Sequence, residues 1–250
     1  MRGFSAICKM QLRLFTRDFF SFFFALVFPV FMLVLFGSIY GNTPIYPGAE
    51  LKMMDVSVPA YSVMVMGVTG FMSLPLTLAG YKEKKIYKRF DATPVGKKSI
   101  MLAQILVNLI MTLIGIAVLF IAGILFYHVQ VKGTFLSVCV GMLFSIAAMF
   151  SMGFLFTAVG RDLKSTQLLC YLCYFVMLFL SGATMPDLLF PDTVKTFSNF
   201  LPMTYAVDFM QGICAGDGLG LHGKELLILG LLTIFCTVVG GILYRRKDWT

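Results

Sequence analysis

Six stretches of the 250-residue chain carry no Asp, Glu, Lys or Arg: Phe19 to Ala49, Val56 to Tyr81, Ser99 to Val131, Gly133 to Gly160, Ser165 to Pro186 and Leu226 to Tyr244. An α-helix rises about 1.5 Å per residue, so about 20 apolar residues cross about 30 Å of hydrocarbon. Each stretch can hold one crossing, and the pattern predicts six spans with cores at 19–40, 56–80, 100–127, 134–160, 165–185 and 226–244. A closed barrel would instead show short segments of alternating polarity, and these runs are continuous. Between the fifth and sixth spans lie two proline-bounded apolar segments, Thr193 to Leu201 and Thr204 to Cys214, too short to cross. They fit a re-entrant pair dipping into the outer leaflet within an outer region 186–218.

The first 18 residues have a different pattern. Arg2, Lys9, Arg13 and Arg17 fall within about 80° of one another at 100° per residue, with Phe4, Ile7, Leu14 and Phe15 opposite. This predicts an interfacial amphipathic helix that lies on the membrane before the chain turns inward. The expected fold is all-α and integral to the membrane, a single domain of six transmembrane helices with that leader and the outer re-entrant helices.

Composition excludes an ordinary soluble protein. Hydrophobic residues make up 59% and charged residues 13%, with a mean hydropathy of +0.89, against about 45–50% and about 25% in a typical globular domain. The formal charge of +8 could signal nucleic acid, but its placement argues otherwise. Six spans put both termini on one side, and sixteen of the twenty bases fall there. Only Lys52, Lys132, Lys195 and Lys224 remain opposite. Positive residues stay cytoplasmic, so both termini are assigned inside and no nucleic-acid partner is needed. The basic leader is read as retained rather than as a signal peptide, because the apolar run after it is too long and lacks a small-residue cleavage site.

No predicted core contains an ionisable carboxylate or base. A charge at mid-membrane costs about 2.5–3.5 kcal/mol even on the lenient insertion scale, so spans that keep one usually use it in an ion path. The pattern disfavours an ion-coupled carrier. An intramembrane enzyme is disfavoured too: His128 and His222 lie outside the spans, far apart in sequence. Cys170 and Cys173 form a C-x-x-C inside a span without a second pair, and read as packing residues rather than a redox or zinc site. Gln104 and Asn108, four apart on the third span, share a face suited to hydrogen bonds between helices, with substrate contact as the alternative. Gly218 to Glu225, GLGLHGKE, falls one residue short of a phosphate loop, with Glu225 where the magnesium-binding hydroxyl should be and no strand before it. No metal or nucleotide is expected on this chain.

Two loops carry a more specific signal. The loop 81–99 between the second and third spans reads YKEKKIYKRFDATPVGKKS. Its centre, Glu83 to Ala92, can form a short helix that ends at Thr93-Pro94, since proline disfavours helix at the residue before it. KEKKIYKRFDATPV resembles the first cytoplasmic loop of the type-2 ABC-exporter permeases, where an acid precedes a short helix ending in A-T-P-V. The outer loop, SGATMPDLLFPDTVKTFSNFLPMTYAVDFMQGI, resembles the same family's S-G-x-x-x-P…P…L-P-x-T-Y-A-x-D signature. Where many members have Gly-Thr-Leu in the coupling helix this chain has Lys85, Ile86 and Tyr87, and Phe90 replaces a usual Leu.

The resemblance implies the membrane half of an ATP-driven exporter of the drug or polysaccharide class. Two permease copies, identical or closely related, would sit above two cytosolic ABC ATPase subunits, in the plasma membrane of a bacterium. ATP and magnesium would belong to the ATPase partner, and this chain would not itself be an enzyme. The coupling contacts would be Glu83, Tyr87, Lys88, Arg89, Phe90 and Pro94. A substrate cavity lined by the second and fifth spans would draw on Met64, Phe71, Met72, Phe175, Met177 and Phe179. An outer gate would involve Pro186, Pro202, Tyr205 and Asp208. Uncharged spans rich in Phe and Met favour amphipathic or hydrophobic cargo moved by alternating access, with lipid-linked polysaccharide as the alternative.

Overall fold

The computed structural model describes residues 2–41, 43–45, 51–91, 96–184 and 190–246. They are helical apart from turns and a single isolated bridge between Pro44 and Lys52. Among the described residues, six helices are long and apolar enough to cross a membrane: Phe19–Tyr40, Met53–Glu83, Ser99–Tyr127, Phe135–Val159, Leu163–Leu180 and Leu219–Tyr244, here spans one to six. A leader helix, Arg2–Arg17, precedes them. A short connector helix, Ile86–Asp91, follows span two. Two helices, Asp192–Ser198 and Pro202–Ala215, separate spans five and six and are called the outer helices after the side on which the charge pattern expects them. Every charge inside a span sits at its end: Asp55, Lys82 and Glu83 in span two, Lys164 in span five, Lys224 and Glu225 in span six.

Span two is the centre of the protein. In its most apolar stretch 83% of residues are buried, against 17% in span six. Spans one, three and four and the longer outer helix surround it. Its small polar residues can be buried because their hydroxyls bond within the helix: Ser57 Oγ donates to the Met53 carbonyl at 2.9 Å, Ser62 Oγ to Pro59 at 2.6 Å and Thr69 Oγ1 to Val65 at 3.1 Å. With no water in the bilayer core, such a partner keeps each of these three hydroxyls from being left unsatisfied.

Spans one and two each widen into a π turn, at Phe23–Val27 and Thr69–Ser73. Both turns stop two residues before a proline, Pro29 and Pro75. Proline has no N–H to give, and its ring clashes with the carbonyl four residues earlier; a wider turn relieves both problems. At the second π turn the backbones of spans two and four cross closely. A Cβ on Gly153 would collide with the Gly70 carbonyl oxygen, and one on Gly70 would lie 2.9 Å from Met149. Glycine at both positions allows this crossing.

The leader packs against span three through one stripe only. Ile7, Gln11 and Phe15 are buried, and the Tyr81 hydroxyl donates to Gln11 Oε1 at 3.0 Å. Leu14, grouped by helical angle with the apolar side, is instead exposed next to Met10. The side chain of Phe4 lies outside the described residues.

Candidate functional site: the basic end and the outer helices

Span two ends later than its apolar pattern suggested, and this shapes the loop that follows. The helix runs to Glu83. Lys84 and Lys85 then form a turn, with Lys85 in the left-handed region at φ +53°. A residue with a Cβ pays for that conformation and glycine does not, which gives a physical reason for glycine at this position in the resembling loops. Glu83 therefore closes span two instead of opening the connector helix, which begins at Ile86.

Glu83 has a defined partner. One of its carboxylate oxygens accepts from the backbone N–H of Leu163 at 2.8 Å. Leu163 is the first residue of the span-five helix, whose N-cap is Asp162, and the Asp162 side chain accepts from the Ser165 N–H at 2.7 Å. The first N–H groups of a helix have no intrahelical acceptor, so two carboxylates from different parts of the chain satisfy this end. Hydrogen bonds from the Ser165 side chain and backbone hold the Asp162 carboxyl below its usual range.

Tyr87 faces the protein. It is 1% exposed, its ring meets Tyr81 edge-on at 6.0 Å, and burial with Tyr244 nearby raises its phenol pKa well above the ordinary value. It anchors the connector helix to the ends of spans two and six. Lys82 lies over the Tyr244 ring at 5.7 Å on the same side. Arg89 is exposed. The side chains of Lys88 and Phe90, and Pro94 as a whole, lie outside the described residues.

The residues expected around a cavity fall into two groups. Met64, Phe71, Met72 and Met177 are buried within this one chain, Phe71 completely, with its ring 5.5 Å from Phe156 and 6.4 Å from Tyr174. Phe175 and Phe179 face outward, Phe179 being 59% exposed. Phe175 also meets Phe24 of span one edge-on at 6.4 Å, so spans one and five share an outward apolar face.

At the opposite end, Pro202 opens the longer outer helix, where its missing N–H costs nothing. The Tyr205 hydroxyl donates to the Asn199 carbonyl at 2.7 Å and closes the turn between the outer helices, while Lys224 lies over the Tyr205 ring at 5.6 Å. Asp208 is half-buried one turn further along; Pro186 lies outside the described residues. His222 stands between Asp217, at 3.4 Å, and Glu225, at 3.6 Å, with its ring edge on Phe209. These contacts clasp the outer helix to span six. In the near-motif GLGLHGKE, Leu219–His222 is a 3-10 turn that opens span six, with no strand before it among the described residues. Among the described residues no three metal-ligating groups come close enough to hold an ion.

The sequence pattern missed Asp55, which falls one residue before the predicted second span. The structure puts it inside the helix, 8% exposed, accepting from the backbone N–H of Lys52 at 3.0 Å and of Gln130 at 2.9 Å. It ties the outer end of span two to the loop between spans three and four. Its spacing, an acid three residues after a helix-start position, was the available signal.

Together these features define a multi-pass membrane protein with a basic, hydrogen-bonded end and helical clasps at the other. The chain belongs to the ABC-2 type transporter family, whose profile matches residues 2–214, and is a permease subunit of an ABC transporter. It is 27% identical over 214 residues to "ABC transporter G family member 20" of Dictyostelium discoideum, covering 82% of this chain and 28% of that protein. It is 24% identical over 239 residues to "Probable doxorubicin resistance ABC transporter permease protein DrrC" of Mycobacterium tuberculosis, covering 93% and 84%. A shorter match, 34% over 73 residues, is to "Nodulation protein J" of Sinorhizobium fredii. In this family the permease is the membrane part, and the family implies an ABC ATPase partner that carries ATP and magnesium.

Proposed function

We propose that this permease exports amphipathic or hydrophobic compounds from the cytoplasm or inner leaflet, working as a pair of permeases above two ATPase subunits. The hydrogen bond from Leu163 to Glu83 carries the reading. It links the loop that would rest on the ATPase to span five, a candidate cavity wall. When the ATPase pair closes, a push on the connector helix at Arg89, Lys88 and Phe90 passes through the Tyr87 anchor and Glu83 to the start of span five. Rotation of that span against span two closes an inward-facing cavity between the two copies and opens it outward. A cargo that binds the inward state more tightly than the outward one is then moved in one direction.

The face that spans one and five share is where a second copy would sit. Phe175 and Phe179 then line the space between copies, and Phe71, Met64, Met72 and Met177 reach it only as span five turns. The charge-free interior suits an apolar cargo. Burying about 200 Å² at about 25 cal/mol per Å² gives about 5 kcal/mol before association costs, enough for weak binding and release. The doxorubicin named for the mycobacterial relative is an amphiphile of this class.

The test is Glu83→Ala in the permease purified with its ATPase. Vectorial transport of an amphipathic dye should fall at least tenfold while basal ATP hydrolysis stays within about twofold, and Glu83→Gln, which keeps an acceptor, should retain more transport. Unchanged coupling in Glu83→Ala would defeat the proposed linkage. Stimulation of the complex only by long polysaccharide intermediates would replace the proposed cargo class.

A further inference from the structure

The leader helix does not bury its whole apolar side. Ile7, Gln11 and Phe15 face span three, while Met10 and Leu14 remain 43% and 46% exposed. With Tyr81, Ile86, Arg89 and Ile100 they wall an open groove of about 290 Å³ between the leader, the end of span two, the connector helix and the start of span three. The one polar group of Tyr81 is already engaged by Gln11, which leaves the groove a largely hydrocarbon surface apart from the Arg89 head. A second, shallower hollow of about 370 Å³ shares Met10 and Leu14 and is otherwise lined by Lys9, Arg13 and Arg17.

An apolar slot thus opens beside four cations. None of Lys9, Arg13, Arg17 or Arg89 is in an ion pair among the described residues. Two acids of these elements have hydrogen-bond partners of their own: the Ser21 hydroxyl donates to Asp18, and Glu83 accepts from Leu163, while the side chain of Asp91 lies outside the described residues. A ligand matching both parts needs an apolar chain about as wide as the slot and an anionic head at its mouth. The leader is an amphipathic helix joined directly to a span, which places the slot at the bilayer surface, where basic side chains attract anionic headgroups.

We propose that this groove is a binding site for an anionic phospholipid of the surrounding membrane, with one acyl chain lying on Met10, Leu14, Ile86 and Ile100 and its phosphate among Lys9, Arg13 and Arg17. Arg89 reaches the same headgroup from the connector helix, so the lipid bridges the leader and the coupling region. It acts as a removable part of the surface that would face the ATPase. The inference rests on the chain being a membrane permease and not on its cargo or on coupling.

The test uses the full chain alone in lipid nanodiscs, without ATPase or transport. Trp249 is replaced by Phe, and Met10→Trp places a single fluorophore on the groove wall. Phosphatidylglycerol brominated on its acyl chains, at one tenth of a phosphatidylcholine bilayer, should quench this Trp at least threefold more than brominated phosphatidylcholine at the same fraction. Lys9→Gln, Arg13→Gln and Arg17→Gln together should reduce quenching to the phosphatidylcholine level, while circular dichroism and elution volume stay unchanged. Equal quenching by the two lipids in the unneutralised chain would overturn the proposal. So would a preference that survives neutralisation, since the cations would then not select the lipid. Failure of either kind leaves the Glu83 experiment untouched, because quenching needs no ATPase.

Discussion

Glycine 153 shows how little room one residue can have. A methyl group there would meet the Gly70 carbonyl of the crossing helix, and a backbone atom cannot rotate away as a side-chain tip can. Forced overpacking costs about 1–3 kcal/mol where side chains yield, and more where they cannot. Gly153→Ala is expected to destabilise the permease by at least about 3 kcal/mol, seen as loss of the monodisperse peak of a fluorescent fusion in detergent. Gly80→Ala is the control. Nothing lies within 4 Å of a Cβ there, and removing glycine from a helix should gain about 0.5–1 kcal/mol. A normal elution profile for Gly153→Ala would show that the crossing is looser than described. Neither glycine stood out in the sequence, because their role depends on which helices cross. Asp55 was hidden for a related reason: a charge count separates spans at charged residues, so an acid that caps a span from inside is read as its boundary.

At the scale of elements, the spans were legible because hydrocarbon imposes length and exclusion of charge, and both can be counted along the chain. The leader was legible as an amphipathic helix from the spacing of Lys9, Arg13 and Arg17, but not its three-way division into buried, exposed apolar and charged stripes. That division depends on how close span three comes. The π turns were not read, although both precede a proline. Pro59 shows why proline alone is an insufficient signal: it lies inside span two with no π turn around it. A π turn is an α-helix holding one residue more than its register needs. Removing Ser73 should therefore leave residues on either side facing as they do now, at the cost of the Pro75 clash, about 3 kcal/mol. Removing Val63 instead turns everything beyond it by about 100°. Partial recovery of folded protein with the first deletion and none with the second, by size-exclusion fluorescence, is the expected result; equal loss would show that the extra residue is not confined to 69–73.

For the whole molecule, the excess positive charge carries an expectation of direction. Sixteen bases belong to the end that bears the termini and the connector helix, and four to the other, so the outer helices are expected outside the cell. Ser198, the last residue of the shorter one, is buried against Thr204 and would react poorly. Thr193 and Arg161 are exposed at opposite ends. In a chain with its six cysteines replaced, a membrane-impermeant maleimide should label Thr193→Cys in intact cells and Arg161→Cys only after lysis. The reverse pattern would invert the molecule. An expectation of orientation can be drawn from sequence because loops cross or stay by their own charge. A face for a second copy cannot, because lipid and protein ask the same apolar surface of a span.

The bond between Glu83 and Leu163 has an electrostatic side. Glu83 is the last residue of its own helix, where the macrodipole leaves partial negative charge and an anion is unfavourable. It also sits at the first turn of span five, where the same effect leaves partial positive charge. Each term is about 0.3–1 kcal/mol near a surface. While the ends touch, the favourable term offsets the unfavourable one. If they part, only the penalty remains, so separation is opposed by more than one lost hydrogen bond. Two helices meeting end to end around one carboxylate thus behave as a latch that resets itself, and because both terms are screened together, rising ionic strength should soften it.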